Sequence, residues 1–295
     1  MQAIWMVAAS FLFASMGVCV KYASPHFSAL EIVFYRGVIG IFFMLALARS
    51  RGVSLRTSVP MMHVWRNIVG VAALAGSFYA IAHLPLATAT TLNYTSGVWI
   101  AAFLIGGTLA TGKLAEIRRQ GPLVLTVLST FIGVLMLLRP TLDQGQIFAG
   151  LIGLMSGLLT GLAYMQVSAL GRVGEPETRT VFYFSIASMI GGAAGMLAEG
   201  PSDIARMEAL WLLPMGILAG LGQLCMTRAF SKGATMVVAN LQYSGIVFAA
   251  LYGLVLFGDQ IPLIGWAGMG LITASAITAT MLRARALPDG PAEDH

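Results

Sequence analysis

The sequence predicts an all-α integral membrane protein: ten transmembrane helices, arranged as a five-plus-five inverted repeat around a central cavity. Three observations predict it. Of the 295 residues, 58% are hydrophobic and only 10% charged, against about 25% charged in an ordinary soluble domain. Mean hydropathy is +0.84. A polar, aromatic stretch set inside apolar sequence occurs twice, as Leu92-Asn93-Tyr94-Thr95-Ser96-Gly97 and as Leu241-Gln242-Tyr243-Ser244-Gly245.

Crossing hydrocarbon takes ~20 apolar residues per helix. Ten such stretches run near 2–21, 30–48, 63–82, 86–110, 121–138, 148–170, 180–198, 209–229, 234–257 and 262–282. They use most of the chain and leave no soluble domain. The first begins almost at Met1 without a basic leader, so it reads as a membrane helix rather than a cleaved signal. Cys19 and Cys225 fall inside spans and read as small apolar filler, not as a disulfide or a metal site. No cofactor is expected.

The formal charge of +5 reports orientation, not nucleic-acid binding, because the basic residues sit in loops. With a cytoplasmic N-terminus, the inside loops carry Arg49, Arg51, Arg56, Lys113, Arg118, Arg119, Arg172, Arg179, Arg228 and Lys232, and the tail carries Arg283 and Arg285. The outside loops carry mainly Lys21, Arg139 and Arg206 beside Asp143, Glu199, Asp203, Glu208 and Asp259. Both termini are therefore expected in the cytoplasm.

Internal repetition organises the spans. Val33-Phe34-Tyr35-Arg36 recurs as Val181-Phe182-Tyr183-Phe184, and Leu92-Asn93-Tyr94-Thr95 as Leu241-Gln242-Tyr243-Ser244, at shifts that differ by one residue. The halves are residues 1–140 and 146–285, joined near Arg139–Gln146, with a disordered tail over 286–295. Five helices per half force the second copy to enter the membrane upside down, and inverted repeats are a mark of secondary transporters. Gly153, Gly157 and Gly161, Gly191 and Gly195, and Gly216 and Gly220 recur at fourth positions, a spacing that lets helix backbones approach closely. Beside the first ridge run Ser156, Thr160, Tyr164 and Ser168, of which Tyr164 is the strongest candidate to touch a substrate. The linkers 171–180 and 199–208 are polar and read as surface loops.

An amide, phenols and hydroxyls have no cheap reason to lie in an apolar span. Desolvated without partners they cost roughly 2–7 kcal/mol each, so they tend to face a bundle interior or a wet cavity. Positions i, i+3 and i+4 share a helix face. That groups Thr91, Tyr94 and Thr95, with Trp99 one turn on, in the fourth span, and Asn240, Tyr243 and Ser244 in the ninth. These two faces are expected to meet across a substrate cavity, with Gly97 and Gly245 as hinges. Aromatic faces with a few polar groups suit a ligand with an apolar or aromatic body and a polar end. Tyr79 shares a face with His83 near the outer mouth. Arg36 lies about 7–8 Å inside Glu31 along its helix, and Lys21, Glu31 and Arg36 are expected to form a structural or gating charge cluster. Arg228 and Lys232 are expected to snorkel to the headgroups.

Absences narrow the chemistry. No acid lies in the first span or deep in the fourth, sixth or ninth, which disfavours a carboxylate-coupled cation antiporter. The cavity is expected to hold no fixed charge. No His-Glu-x-x-His or phosphate-gripping Gly-x-x-x-x-Gly-Lys pattern occurs, and no histidine lies deep in a span to activate a serine. An enzyme is not expected, and neither is ATP as energy source.

Phe34-Tyr35-Arg36-Gly37 opening the second span, and Phe248-Ala249-Ala250-Leu251 leading to Phe257-Gly258-Asp259, resemble the EamA family of the drug/metabolite transporter superfamily, over residues 1 to about 285. Within it the chain is most similar to YddG-type exporters of aromatic amino acids. The resemblance implies a basket of ten helices around a cavity that opens alternately to each side. Where that family often carries a proline in the fourth and ninth spans, this chain has Gly97 and Gly245 nearby, and its usual Gly-Glu after the ninth is Gly258-Asp259. The expected function is alternating-access export of small amphipathic metabolites, amino acids above all, from a monomer in a bacterial-type inner membrane. Its partners are then a small-molecule substrate and lipid, with no nucleic acid. The alternatives are a carrier of quaternary-ammonium drugs or nucleotide sugars, or a passive channel.

Overall fold

The computed structural model describes residues 2–84, 86–110, 114–138, 146–200, 202, 207–256, 258 and 261–286. The expected join from Arg139 to Gly145, the charges Lys113, Asp143, Asp203, Arg206 and Asp259, and the tail from 287 lie outside the described residues, as do the side chains of Arg118, Arg119, Arg283 and Arg285.

Among the described residues there are twelve α-helices and no strand: α1 Gln2–Ala23, α2 Ala29–Ser50, α3 Pro60–His83, α4 Leu86–Tyr94, α5 Ser96–Ala110, α6 Leu114–Leu138, α7 Ile147–Arg172, α8 Glu177–Glu199, α9 Leu212–Lys232, α10 Thr235–Leu241, α11 Ser244–Leu256 and α12 Leu263–Ala286. A 3₁₀ turn, Met207–Trp211, leads into α9. Six helical stretches are long and apolar enough to cross a membrane: Ile4–Ala23, Ala29–Ser50, Ile147–Arg172, Glu177–Leu197, Met207–Lys232 and Thr235–Leu256. Gly121–Met136 and Leu263–Ala279 are shorter apolar helices. Large apolar side chains such as Phe42, Ile68, Leu125, Leu151 and Leu213 point outward, as a lipid solvent permits and water does not.

Local chemistry sets the helix ends. The Ser28 hydroxyl accepts from Glu31 N at 3.3 Å while the Glu31 carboxylate accepts from Ser28 N at 3.1 Å, a reciprocal capping box that starts α2. Pro60 opens α3, where a missing N–H costs nothing. Gly52, one residue past the cap of α2, and Gly200, the cap of α8, hold φ of +63° and +81°, positive values that glycine adopts without steric cost.

Glycine governs the packing. The closest helix pairs are α2 with α8, α1 with α9, α6 with α12 and α3 with α7. A Cβ on Gly37 would strike the Met189 nitrogen, and one on Gly192 would lie 2.7 Å from Phe34 Cα, so α2 and α8 touch backbone to backbone. The ridge Gly153, Gly157 and Gly161 on α7 seats Leu92, Thr95 and Ser96, while Gly216 and Gly220 on α9 seat Ile39 and Phe43.

The fourth and ninth spans are not the single helices the sequence reading assumed. The first breaks at Thr95 and the second at Gln242–Tyr243. At each break the backbone tightens to three-residue bonds, Thr95 N to Leu92 O and Tyr243 N to Asn240 O, both 3.2 Å. Hydroxyls drive it: Thr95 Oγ1 donates to Leu92 O at 2.6 Å and Ser244 Oγ to Leu241 O at 2.7 Å. Such back-bonding competes with the regular helical ladder.

Candidate functional site

The two breaks meet. Tyr94 and Tyr243 lie ring to ring with centroids 5.7 Å apart and planes 30° from parallel. The Tyr243 phenol donates to Tyr94 O at 2.9 Å. A Cβ on Gly97 would lie 2.9 Å from the Tyr243 ring, and one on Gly245 would lie 2.9 Å from Tyr94 Oη. Each tyrosine therefore fills the notch left by the other break's glycine. Ser10 Oγ donates to Gln242 O at 3.2 Å, and Gln242 Nε2 to Ser96 Oγ at 3.4 Å, which ties α1 and both breaks together.

This contact revises the expected cavity face. Tyr243 and Asn240 are wholly buried, in contact with protein rather than with an open space. Asn240 accepts from Thr130 Oγ1 at 2.5 Å and donates to Ser275 O at 3.4 Å, joining α10 to α6 and α12. Thr95 and Ser244 bond their own helix turns, and Thr91 is buried. Trp99 stacks on Phe103 at 6.3 Å, and its buried indole N–H has no partner among the described residues. Tyr164 stacks on Phe230 at 4.8 Å. Tyr79 is 36% exposed and stacks on His83 at 4.1 Å, away from the breaks. Replacing Asn240 with alanine leaves Thr130 Oγ1 only Thr126 O of its own helix, at 2.7 Å, and removes both links from α10 to α6 and α12, at a cost of about 0.5–1.5 kcal/mol per bond lost. A thermal midpoint in detergent equal to the wild type's would show that Asn240 is not a structural clasp.

A second centre lies between α2, α3, α8 and α9, and it overturns the expectation of a cavity without fixed charge. Arg66, two turns inside α3, is only 2% exposed, and its guanidinium carbon lies 3.7 Å from the centroid of the Phe184 ring. Arg36 lies 5.6 Å from the same centroid and donates from Nη2 to Gln223 Oε1 at 3.3 Å. Arg36, Phe184, Ser188 and Gln223 line a small pocket of ≈ 10 Å³, about the room one water needs. Of the expected Lys21–Glu31–Arg36 cluster, Arg36 turns inward to Gln223 and Phe184. Glu31 is wholly buried and accepts from Ser202 N at 2.7 Å and from Ser202 Oγ at 2.5 Å. Lys21 lies in the last turn of α1, where its carbonyl accepts from Ser24 Oγ.

The other end of the bundle carries a matching acid. Glu175, between α7 and α8, accepts from Thr57 Oγ1 at 2.6 Å and from Arg179 Nη1 at 2.9 Å, with His63 Nε2 at 3.5 Å. Arg179 also donates to Ser54 O at 2.7 Å. Burial pushes the Glu175 carboxyl up, but the Thr57, Arg179 and His63 contacts outweigh it and hold it below the usual carboxylate range. Nearby, Lys232 pairs with Glu177 at 3.3 Å, and Arg228 lies 4.6 Å over the Trp5 ring rather than reaching for headgroups.

Arg66 went unnoticed in sequence, although a signal exists. His63, Arg66 and Asn67 follow the i, i+3, i+4 spacing of one helix face, and Asn67 Nδ2 donates to Tyr183 O at 3.1 Å.

An apolar helical bundle with two interrupted helices meeting at its middle, and buried polar groups beside them, is the build of a membrane carrier. A family model described as the EamA-like transporter family matches residues 1–105 and 147–281. The chain belongs to that family: it is an integral membrane transporter. It is 34% identical over 260 residues to the pseudopaline exporter CntI of Pseudomonas aeruginosa (strain UCBPP-PA14), covering 87% of each chain. It is 25% identical to a riboflavin transporter of Rhizobium johnstonii, over 93% of this chain and 89% of that one. A crystal structure with 20% sequence identity superposes with a TM-score of 0.81, over 97% of this chain and 99% of the other, and so shares its fold.

Proposed function

We infer that the protein exports small amphipathic metabolites across the bacterial inner membrane by alternating access, amino acids with bulky apolar or aromatic bodies being the leading class. The observation that carries this is the meeting of two interrupted helices, one from each half, through Tyr94 and Tyr243. Broken helices at a repeat interface free backbone groups for a substrate and give the halves a pivot. Aromatic surface from Trp99, Tyr164 and Phe184 supplies a bed for an apolar body.

The halves, 1–140 and 146–285, are taken as five-helix inverted repeats, with both termini cytoplasmic. Support comes from the most extensive helix contacts, which map onto one another when the halves are exchanged. The α1–α9 pair becomes α7–α3, α2–α8 and α6–α12 each become themselves, and contacts of α7 with α4 and α5 become those of α1 with α10 and α11. The family model matches in two separate segments, 1–105 and 147–281, and the gap between them contains the expected join. A relative named as an exporter and another named as a riboflavin transporter support a small-molecule cargo.

Counterflow in proteoliposomes tests the reading. Preloaded phenylalanine should accelerate uptake of labelled phenylalanine several-fold. Equal uptake with and without preloading would mean a pore. Within the carrier, Trp99→Phe keeps the ring and removes the unpartnered N–H, and should lower kcat/KM by about 3- to 10-fold at an unchanged thermal midpoint. Unchanged kinetics would remove Trp99 from the transport path.

A further inference from the structure

We propose that Arg36 and Arg66, gathered on the Phe184 ring, form a carboxylate-binding centre that takes the anionic head of the transported molecule. The proposal rests on the carrier reading above and names the substrate chemistry: a carboxylate attached to an apolar or aromatic body, not an organic cation.

The reasoning begins with an imbalance. Two guanidinium groups lie inside the bundle, and each is within electrostatic reach of the other and of Tyr164. Among the described residues no carboxylate pairs with either; the acids that form ion pairs are Glu175, Glu177 and Glu208, and Glu31 is occupied by Ser28 and Ser202. The partners that do exist are weak. Arg66 Nη1 reaches Asn67 Oδ1 at 3.4 Å, and its Nε is buried with no partner at all. Arg36 has one amide oxygen at 3.3 Å.

Magnitudes decide what this means. A desolvated cation over an aromatic ring gains about 2 kcal/mol, whereas removing an ion from water costs several kcal/mol even after relaxation. Phe184 therefore offsets only part of the burial of Arg66, and a second cation nearby adds repulsion. Structural arginines are ordinarily neutralised by an acid of the protein. Here the counter-charge must arrive from outside, and a carboxylate fits the planar fork of a guanidinium two oxygens at a time.

The place is suited to it. The small pocket beside Arg36 also presents the Ser188 hydroxyl, which is buried and has no partner among the described residues. Gly37, Gly40 and Gly220 line the same space, which lies where α2, α8 and α9 come together. At ≈ 10 Å³ it is too small for a substrate as it stands. Separation of these helices during the transport cycle would widen it next to the arginines. A quaternary ammonium at this point would meet two like charges, so the centre selects against that rival class.

The test uses the full chain in lipid nanodiscs and four phenyl probes: L-phenylalanine, 3-phenylpropionate, phenylalaninamide and 2-phenylethylamine. Thermal midpoints are titrated against each. The two carboxylates should stabilise the wild type, with the amide and the amine at least ~10-fold weaker. Arg36→Gln and Arg66→Gln should each weaken carboxylate binding by about 10- to 100-fold. Arg66→Lys keeps the charge without the fork and should recover part of it. The acid-versus-amide comparison in wild type needs no variant to fold. Amide binding as tight as acid, or no stabilisation by either carboxylate, overturns the centre. So does stabilisation by phenyl phosphate alone, which would assign the arginines to a phosphate ester. Phenylalanine counterflow separates this from the parent reading. If counterflow survives both glutamine variants, the centre is wrong and the carrier stands. If wild type shows no counterflow but binds 3-phenylpropionate through the arginines, the amino-acid reading falls and the centre stands.

Discussion

Glu175→Ala is expected to cost about 3 kcal/mol of stability, near the lower end for breaking a buried ion pair. The Glu175 side chain is 3% exposed and Arg179 15%, so its removal leaves a cation poorly hydrated and unpaired. The loss should reach further than the pair. Thr57 and Arg179 hold the segment between α2 and α3 against the start of α8 through Glu175 and Ser54 O. The chain over 51–59 should then become accessible to protease in the variant and not in wild type. The effect has a defined pH dependence. Because the folded carboxyl titrates below its ordinary value of 4.5, its contribution is complete above that pH. It is lost as pH falls through the depressed folded value. The gap in thermal midpoint between wild type and variant should be constant from about pH 8 to 5 and close below that range. A midpoint change within ~0.5 kcal/mol, the scatter of ordinary surface substitutions, would refute the latch.

Gly37→Ala should be nearly as damaging, for a steric reason. A Cβ there would collide with Met189 N and lie 2.8 Å from Met189 Cα and Ser185 O. Backbone atoms cannot rotate away, so α2 and α8 must move apart along the bundle's closest interface. Overpacking of this kind costs about 1–3 kcal/mol, occasionally more. Gly17→Ala on α1 is the control, since nothing lies within 4 Å of its would-be Cβ. That change should instead stabilise by up to ~1 kcal/mol through helix propensity. Opposite signs for the same substitution at two helical glycines are the expected result. Equal effects would mean that α2 and α8 are not in backbone contact.

Much of the architecture was legible because membranes impose a simple code. Long apolar runs located the helices, and the paired Leu-Asn-Tyr-Thr and Leu-Gln-Tyr-Ser stretches located the middle of the bundle. Small-residue ridges such as Gly153, Gly157 and Gly161 marked close contacts that the fold contains. Three-dimensional detail was not legible. Hydropathy carries a helix straight through Thr95 and Tyr243, whereas the interruptions depend on hydroxyls turning back to their own carbonyls. Arg66 lies where a basic side chain ordinarily reaches for headgroups, and only the rotation of α3 aims it at Phe184. Nor does sequence show that the Asn240 amide bonds Thr130 and Ser275 and so joins three helices.

The reciprocal fit of Tyr94 with Gly245 and Tyr243 with Gly97 makes the two crossover points share one fixed volume. A side chain added on one half must be matched by a loss of bulk on the other, although the positions are far apart in sequence. Change at the two breaks is therefore constrained in diagonal pairs: a related chain bearing alanine at position 97 should carry a slimmer residue at 243, while 94 and 245 stay free to retain theirs.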